Sequence, residues 1–342
     1  MKRVFIDPSY PAYENNKLFD LSDKALNRDD TLLPYVKLKK DLAERSIELM
    51  TYDFAKKYSK DELKGDGYIS LGNIREKKEL AATGLRLIGF YVMESPLIDA
   101  KLYNKLPEIS HSFEQVFVHN TVGDCYSLEG VDQSRLEKIY IPQPYEHVIE
   151  KFWSAKERQN KIVAIVGQHK PVRLLSKELY SLRIKWIVGL NKYIGVDLFG
   201  GGWDRIVSRA SLWLPFLLNY LRLQKVYKGR CGSKLEVMAN YDFALCFENL
   251  NMNGYLTEKI FDCFYSGAIP IYRGGDDIQT RIPRDCFIDL RNFKSPKELS
   301  KFLLDMTDAE KINYRQSAKK FLTSEEGKKY FRQVDSLRSL HE

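Results

Sequence analysis

The stretch from residue 241 to residue 274 constrains the fold more than any other part of the sequence. It holds an apolar run, a polar turn rich in Asn and Gly, a segment with helical periodicity and a second apolar run. These features predict a buried strand at 243–247, a helix that begins near Thr257 and a second buried strand at 268–272. The helix is expected to turn Ile260, Phe261, Phe264 and Tyr265 toward the core. Such a βαβ unit belongs to a parallel sheet.

Five polar residues fall where the first strand ends and the helix begins. They are Glu248, Asn249, Tyr255, Glu258 and Lys259. Open α/β sheets bind ligands at this edge, and helix N-termini favour anions. Glu258 alone is also explained by its favourable position in the helix dipole, whereas Lys259 is unfavourable there unless an anion lies nearby. A phosphate would supply that anion, so the pattern predicts a nucleotide-linked diphosphate at this site.

Strands alternate with helices along both halves of the chain, which predicts an α/β fold with two Rossmann-like domains facing across a cleft. We place an N-terminal domain at residues 1–158 and a nucleotide-binding domain at 159–306, followed by a helical tail at 307–342. An apolar helix is expected at 210–226. The tail is mixed in charge, and its pattern favours a docking helix over a membrane anchor.

Two further segments carry candidate functional residues: the loop that contains His169 and Arg173, and the strand end that contains Glu94. Arg173 follows a strand, a Gly-containing loop and Pro171, and a guanidinium there can hold a diphosphate through two parallel hydrogen bonds. A surface arginine is the alternative interpretation. His169, in the same loop, is a further candidate phosphate contact. Glu94 ends a predicted strand at 86–93, where a general base would be held rigidly.

Composition limits the classes of partner and compartment. The net charge of +8 over 342 residues favours an anionic partner: a nucleotide diphosphate, an anionic membrane surface or a nucleic acid. The basic residues are spread among acids, which disfavours nucleic acid. Five scattered cysteines without a C-x-x-C pair predict reduced thiols and no zinc site. No apolar run is long enough to span a bilayer, and no signal peptide follows Met1, so we expect a cytoplasmic protein.

The motifs together resemble a known family. Phe247-Glu248-Asn249 is followed by Tyr-Leu-Thr-Glu-Lys at 255–259, by Ser-Gly-Ala-Ile-Pro-Ile-Tyr at 266–272 and by Gly274. This order is similar to the donor-binding signature of the α1,3/4-fucosyltransferases, glycosyltransferase family 10. The likeness extends through residues 287–299 and, more weakly, to Glu94-Ser95-Pro96 and to Val-Asp-Leu-Phe-Gly at 196–200.

The resemblance implies a GT-B fold and an inverting transfer of L-fucose from GDP-fucose to a hydroxyl of a GlcNAc- or Glc-type acceptor. Glu94 resembles the general base of the family, Arg173 and Lys259 resemble the residues that hold the diphosphate, and Glu258 resembles the ribose-binding carboxylate. Asn249 and Tyr255 would line the phosphate site. His169, Glu248 and Thr257 are further candidates for donor contacts.

No Asp-x-Asp motif occurs, which disfavours a metal-chelating GT-A enzyme. The sequence requires no cofactor; it leaves a role for Mn or Mg open and identifies no metal site. The resemblance favours a bacterial-type enzyme that modifies lipopolysaccharide, a protein-linked glycan or another oligosaccharide or glycolipid, with peripheral contact at the inner membrane left open. Another nucleotide sugar as donor is the first alternative, and a basic nucleic-acid-binding protein is the alternative from a different class.

Overall fold

The protein folds into two units, each with its own parallel sheet. The structure is a computed structural model that describes residues 1–154, 157–171, 176–205 and 213–331. The first unit contains residues 1–144 together with 329–331, and the second contains the described part of 145–328. The predicted α/β class with two parallel-sheet domains is thereby confirmed. The second unit includes residues 145–158 and the helices after 306, which the sequence placed outside the nucleotide-sugar-binding domain.

The first unit has six parallel strands. They are β1 Arg3–Asp7, β2 Glu48–Thr51, β3 Gly67–Ser70, β4 Arg86–Tyr91, β5 Val116–Val118 and β6 Leu136–Lys138, in the order β2-β1-β3-β4-β5-β6. Alternate residues of each strand enter opposite cores: Phe5, Tyr68 and Phe90 pack on one side, and Val4, Ile69 and Ile88 on the other. Both faces are covered, as parallel sheets require.

Five helices belong to the first unit. They are α1 Leu33–Glu44, α2 Lys60–Leu63, α3 Lys77–Thr83, α4 Ala100–Asn104 and α5 Leu106–Ser110. Ser59 starts α2 with a reciprocal capping box to Glu62, and Asp99 caps α4 by accepting from the backbone of Leu102. The predicted strand that delivers Glu94 is observed as β4, which ends two residues earlier than expected, at Tyr91.

The second unit has five parallel strands. They are β7 Gln159–Ile165, β8 Val196–Phe199, β9 Tyr241–Phe247, β10 Ile269–Arg273 and β11 Ile288–Asp289, in the order β11-β10-β9-β7-β8. Every residue of β9 is buried, and β9 pairs with β10 from Phe243–Ile269 to Phe247–Arg273. The predicted βαβ unit is therefore confirmed, and its strands lie at the centre of this sheet.

Nine helices belong to the described part of the second unit. They are α6 Glu150–Trp153, α7 Tyr180–Leu190, α8 Leu214–Leu217, α9 Tyr220–Gln224, α10 Lys234–Met238, α11 Glu258–Ser266, α12 Pro296–Asp305, α13 Asp308–Leu322 and α14 Glu325–Lys328. Thr257 stands just before α11, as predicted, and the expected apolar stripe of α11 is buried. The apolar segment expected at 210–226 forms two short helices, α8 and α9, within its described part.

A buried ion cluster fixes α13 on the sheet of the second unit. The Asp242 carboxylate on β9 accepts from Lys311 Nζ at 2.8 Å and from Arg315 Nη2 at 2.6 Å, both on α13. Asp242 and Lys311 are both buried. Arg315 is 17% exposed, whereas the two buried charges are tolerable only because they are paired, so removing the carboxylate leaves Lys311 uncompensated.

Replacing Asp242 tests this anchor. We expect Asp242→Asn to lower the free energy of unfolding by about 3–5 kcal/mol, because Lys311 would remain buried without its carboxylate. Asp308→Asn is the matched control: Asp308 is 4.0 Å from the same Lys311 but is 96% exposed, so its loss should cost less than about 1 kcal/mol. Urea unfolding followed by circular dichroism measures both, and equal losses would contradict the anchor.

Candidate active site

Glu248, the first residue after β9, has a fully buried carboxylate. Its Oε1 accepts from the backbone N–H of Thr257 at 2.9 Å, and its Oε2 accepts from Lys259 Nζ at 3.0 Å. The Thr257 hydroxyl also lies within 3.0 Å of both oxygens. A carboxylate can be buried at this position because three donors from the start of α11 satisfy it.

The carboxylate of Glu248 changes the interpretation of Lys259. The sequence argument required an anion near this lysine at the positive end of the helix, and Glu248 is such an anion. Burial alone would lower the pKa of the Lys259 ammonium, but the negative charges of Glu248 and Glu258 raise it well above its ordinary value. Lys259 therefore stays charged, held between two carboxylates, and keeps about a quarter of its side chain exposed.

Glu258 lies on the other side of Lys259, at 3.9 Å, with about half of its side chain exposed. Packing opposes ionisation of this carboxyl, yet the charges of Lys259 and Lys234 lower its pKa to about 2. It is ionised at neutral pH and can accept hydrogen bonds from two neighbouring hydroxyls. The ribose contact that the resemblance implies for Glu258 stays a prediction.

The loop between β9 and α11 is held by neighbouring segments. The carbonyl of half-buried Asn249 accepts from the backbone of Leu179 at 3.1 Å, and the backbone of Asn251 donates to the Lys177 carbonyl at 2.8 Å. The backbone of Gly254 donates to the Asp277 carboxylate at 2.9 and 3.0 Å. Tyr255, next in the loop, is buried. The predicted donor residues of this loop thus stand on backbone fixed from two sides.

Two glycines permit close approaches around the site. A Cβ at Gly274 would lie 2.1 Å from the Tyr272 hydroxyl and 2.9 Å from Glu248 Cγ, so a side chain there would displace the buried glutamate. A Cβ at Gly200, whose φ is +138°, would lie 1.9 Å from the Val166 carbonyl. Both positions therefore require glycine. At Gly274 the backbone packs closely over Glu248, and at Gly200 the backbone lies close to the end of β7.

Arg183, which the sequence argument did not single out, lies beside Glu248. It is buried on α7, and its Nη2 donates to the Glu248 carbonyl at 3.2 Å. Within the described ranges its Nε has no hydrogen-bond partner and its guanidinium forms no ion pair. Burial lowers the pKa of Arg183, with opposing contributions from Tyr180 and Glu248. A buried cation without a paired anion is costly unless a ligand supplies one.

A sequence signal for Arg183 existed. On α7 it shares a face with Tyr180, three residues before it, and Ile187, four residues after it, and both are buried. An arginine on the apolar face of a helix that follows a strand of a parallel sheet is an unusual placement, and it marks a position where charge is needed in the interior.

The structure brings some of the other predicted site residues together and leaves others apart or undescribed. Packing first, and then the positive charge of Arg183, lower the pKa of the exposed His169 imidazole. Arg173 lies outside the described residues. Glu248, Thr257, Glu258 and Lys259 form one cluster at the start of α11.

Glu94 belongs to the first unit, three residues after β4, and is half-buried. The Tyr103 hydroxyl donates to its carbonyl at 2.8 Å, and the next carbonyl, of Ser95, accepts from the backbones of Ile98 and Asp99 at 3.0 Å each. The glutamate is therefore presented from a turn with a fixed backbone, as a positioned base would be.

In residues 1–154, 157–171, 176–205 and 213–331, no group of three or more His, Cys, Asp or Glu side chains is placed to hold a metal ion. Across the same ranges, no helix has the length and apolar character needed to cross a bilayer.

Glu248 and Glu258 flank the same lysine, which makes them a matched pair for a test of the buried ion pair. We expect Glu248→Gln to lower the free energy of unfolding by about 2–4 kcal/mol, because an amide NH₂ would face the donors of Thr257 and Lys259. Glu258→Gln, at the half-exposed carboxylate, should cost less than about 1 kcal/mol.

The pH dependence of that difference has a defined sign. Because the pKa of Lys259 is raised in the folded protein, the stabilisation is fully present below the ordinary lysine value of about 10.4 and is lost only as the pH rises through the raised pKa. Urea unfolding of both variants from neutral to alkaline pH measures it. A difference that disappears on acidification toward pH 6 would contradict the assigned ion pair.

Comparison with known proteins identifies the region that carries this site. Residues 155–320 match the family model of the glycosyltransferase family 10 (fucosyltransferase) C-terminal region. The chain is 36% identical over 132 residues to 4-galactosyl-N-acetylglucosaminide 3-alpha-L-fucosyltransferase 9 of Mus musculus, covering 38% of this chain and 31% of that protein. It is 31% identical over 108 residues to alpha-(1,3)-fucosyltransferase FucT of Helicobacter pylori, covering 32% of this chain and 23% of that protein. The matches thus span less than a third of these relatives.

Solved structures agree on the architecture. Anabaena HepE in complex with UDP and glucose superposes with a TM-score of 0.55 at 12% identity, over 99% of this chain and 100% of that one. An alpha-glucosyltransferase in complex with UDP-glucose and DNA superposes with a TM-score of 0.57 at 12% identity, over 99% of each chain. The two parallel-sheet domains are those of the GT-B fold. Within this fold, residues 155–320, just under half of the chain, are the part that matches the fucosyltransferase C-terminal region of glycosyltransferase family 10.

Proposed function

We propose that this protein is an inverting α1,3-type fucosyltransferase that moves L-fucose from GDP-fucose to a hydroxyl of a GlcNAc- or Glc-type acceptor. The observation that carries the proposal is the buried guanidinium of Arg183, which has no ion pair among the described residues and lies beside the Glu248–Lys259 pair of the family signature. A nucleotide diphosphate supplies the missing negative charge. The named activities of the family relatives support fucose as the sugar.

The donor half would work as a preformed anion site. Lys259 and Arg183 hold the diphosphate, and the amino end of α11 adds the partial positive charge of its free N–H groups. Arg173 remains a predicted third cation, and His169 a further phosphate contact. Asn249 and Tyr255 line the phosphate site, and the ionised Glu258 accepts from the ribose hydroxyls.

Within this arrangement Glu248 and Thr257 act as positioning residues. The Glu248 carboxylate is satisfied inside the protein, and the Thr257 hydroxyl accepts from Lys259 Nζ at 2.8 Å. Together they fix the ammonium of Lys259 before the donor binds. A cation held in place in this way does not have to reorganise as charge develops on the leaving group.

The proposed reaction is a single displacement. Glu94 takes the proton of the acceptor hydroxyl, and the acceptor oxygen forms a bond to the anomeric carbon of fucose. The bond from that carbon to the phosphate oxygen breaks, and GDP leaves with the electron pair. Protein cations stabilise the departing diphosphate, so we propose that no cofactor is required, while Mn or Mg could still raise the rate.

The acceptor is proposed as an oligosaccharide or glycolipid of the cell surface, such as lipopolysaccharide or a protein-linked glycan, modified in the cytoplasm of a bacterium at the inner-membrane surface. The residues of the family signature belong to the donor-binding site, so they do not specify the acceptor. Another nucleotide sugar as donor is the first alternative, and nucleic-acid binding is the alternative from a different class.

GDP binding tests the donor site directly. We expect GDP, and not UDP, to raise the melting temperature, with Arg183→Ala and Lys259→Ala each weakening GDP binding at least about tenfold, the size of one lost charge-assisted hydrogen bond. Calorimetric titration measures the affinities. Lys185→Ala, an exposed cation on the same helix as Arg183, is the matched control and should bind GDP normally.

The other outcomes of this titration identify the alternatives. Stabilisation by UDP rather than GDP would replace the donor while keeping the site. No response to any nucleotide, with salt-sensitive binding to RNA or DNA, would favour the nucleic-acid class. Arg173→Ala in the same series decides whether that residue shares the diphosphate with Arg183.

The base is tested by separating transfer from binding. We expect Glu94→Gln to reduce fucose transfer by about 10²–10⁴-fold, because the amide cannot accept the proton of the acceptor. GDP affinity should change less than about twofold. Transfer is measured by release of GDP in the presence of candidate acceptors, and full turnover by this variant would remove Glu94 from the mechanism.

A further inference from the structure

The largest group of exposed leucines in the described chain lies on α8 and α9. Leu214 is 60% exposed, Leu217 48%, Leu218 68% and Leu221 76%. These four residues, which we call the leucine face, stand at i, i+3, i+4 and i+7, the spacing of one side of a helix. Exposed leucines that occur singly need no explanation, but four on one side mark an interaction surface.

The leucine face is not the result of a frayed segment. Backbone bonds from Leu217 to Trp213, from Leu218 to Leu214 and from Leu223 to Asn219 close turns within α8 and α9, and a turn at residues 218–219 joins the two short helices. The opposite side is core: Phe216 and Leu223 are completely buried. The helix therefore presents apolar residues on both sides, and only one side is covered.

The charges on the segment that carries the leucine face are of one sign, and the neighbouring acid is the exposed Asp204, whose carbonyl accepts from the Tyr220 hydroxyl of α9 at 3.3 Å. Residues 213–230 contain four basic residues and no Asp or Glu. Arg222 and Lys225 are exposed on the same helical stretch, and α7, which packs against α8, adds the exposed Lys185 and carries no acid. Lys228 is paired with Asp197 at 3.5 Å and is not counted in this surface. An apolar face flanked by cations complements an anionic lipid surface.

We propose that the leucine face inserts into the headgroup boundary of an anionic phospholipid bilayer, with Arg222 and Lys225 on lipid phosphates. α8 and α9 have four and five residues, about 6–8 Å each, so the segment lies in the membrane plane and does not cross it. A second copy of the chain fits less well, since a symmetric contact would place Arg222 and Lys225 against their own copies.

Vesicle sedimentation of the full chain tests the proposal. Binding is expected to vesicles containing about 30% phosphatidylglycerol, to be weak with pure phosphatidylcholine, and to fall in about 0.5 M salt. Leu217→Ser/Leu218→Ser/Leu221→Ser should lower the partition coefficient at least about tenfold. Arg222→Gln/Lys225→Gln should lower it about fivefold per cation removed.

Matched controls use exposed residues elsewhere in the second unit. Leu304→Ser/Ile312→Ser removes two apolar side chains with 50% and 52% exposure, and Lys192→Gln/Lys297→Gln removes two exposed cations. Both should bind vesicles like the unchanged protein. Melting temperatures check that every variant is folded.

Three results would overturn the proposal. The first is vesicle binding that survives the triple leucine substitution. The second is no binding to anionic vesicles by the unchanged chain. The third is a leucine-dependent change in molar mass by light scattering without vesicle binding, which would assign the leucine face to a second copy. None of these measurements depends on GDP binding or on sugar transfer, so their failure is distinguishable from failure of the proposed reaction.

Discussion

The buried carboxylate of Glu248 is the interaction on which the candidate site depends. Its backbone N–H donates to Arg273 at the end of β10, its carbonyl accepts from Arg183 on α7, and its carboxylate takes donors from Thr257 and Lys259. One residue thereby joins a strand end to a neighbouring strand and to two helices. Since the carboxylate has no contact with water, each of these bonds is needed to keep its burial tolerable.

Two cations lie near Glu248. The charge of Lys259 is compensated by carboxylates, whereas Arg183 has no ion pair among the described residues. Lys259 has Glu248 and Glu258 as partners, so it is fixed and charged before any ligand arrives. The buried Arg183 donates to the Glu248 carbonyl and lies 5.1 Å from the centre of the Tyr180 ring, but it has no ion pair among the described residues, so its charge is the less compensated of the two. Under the proposed function, the fixed charge of Lys259 would supply a preorganised geometry, and the less compensated charge of Arg183 would add electrostatic attraction for the diphosphate.

Local pattern predicted what local interactions determine. Apolar periodicity located β9, α11 and β10 because strand and helix faces repeat every few residues, and all four core residues expected on α11 are buried. The partner of Lys259 could not be read in this way: Glu248 is eleven residues earlier, and only the folded loop brings the charges to 3.0 Å. The missing anion was assigned to a phosphate when the chain itself supplies one. Arg183 was overlooked although its place on the apolar face of α7 could be recognised, because its lack of an ion pair within the described residues is seen only in the fold.

The segment expected as an apolar helix at 210–226 shows a further limit of pattern reading. Hydropathy reports that residues are apolar, and it does not report what covers them. Phe216 and Leu223 meet the core, whereas the four leucines on the other side meet solvent. The buried side chains already hold this segment in place. When a partner surface covers the leucine face, the backbone of the segment therefore does not have to become ordered. Binding loses less conformational entropy than it would if a disordered segment had to fold. An apolar face that is already ordered and lies beside cations is therefore better explained as the proposed membrane-binding surface than as incomplete packing of the core.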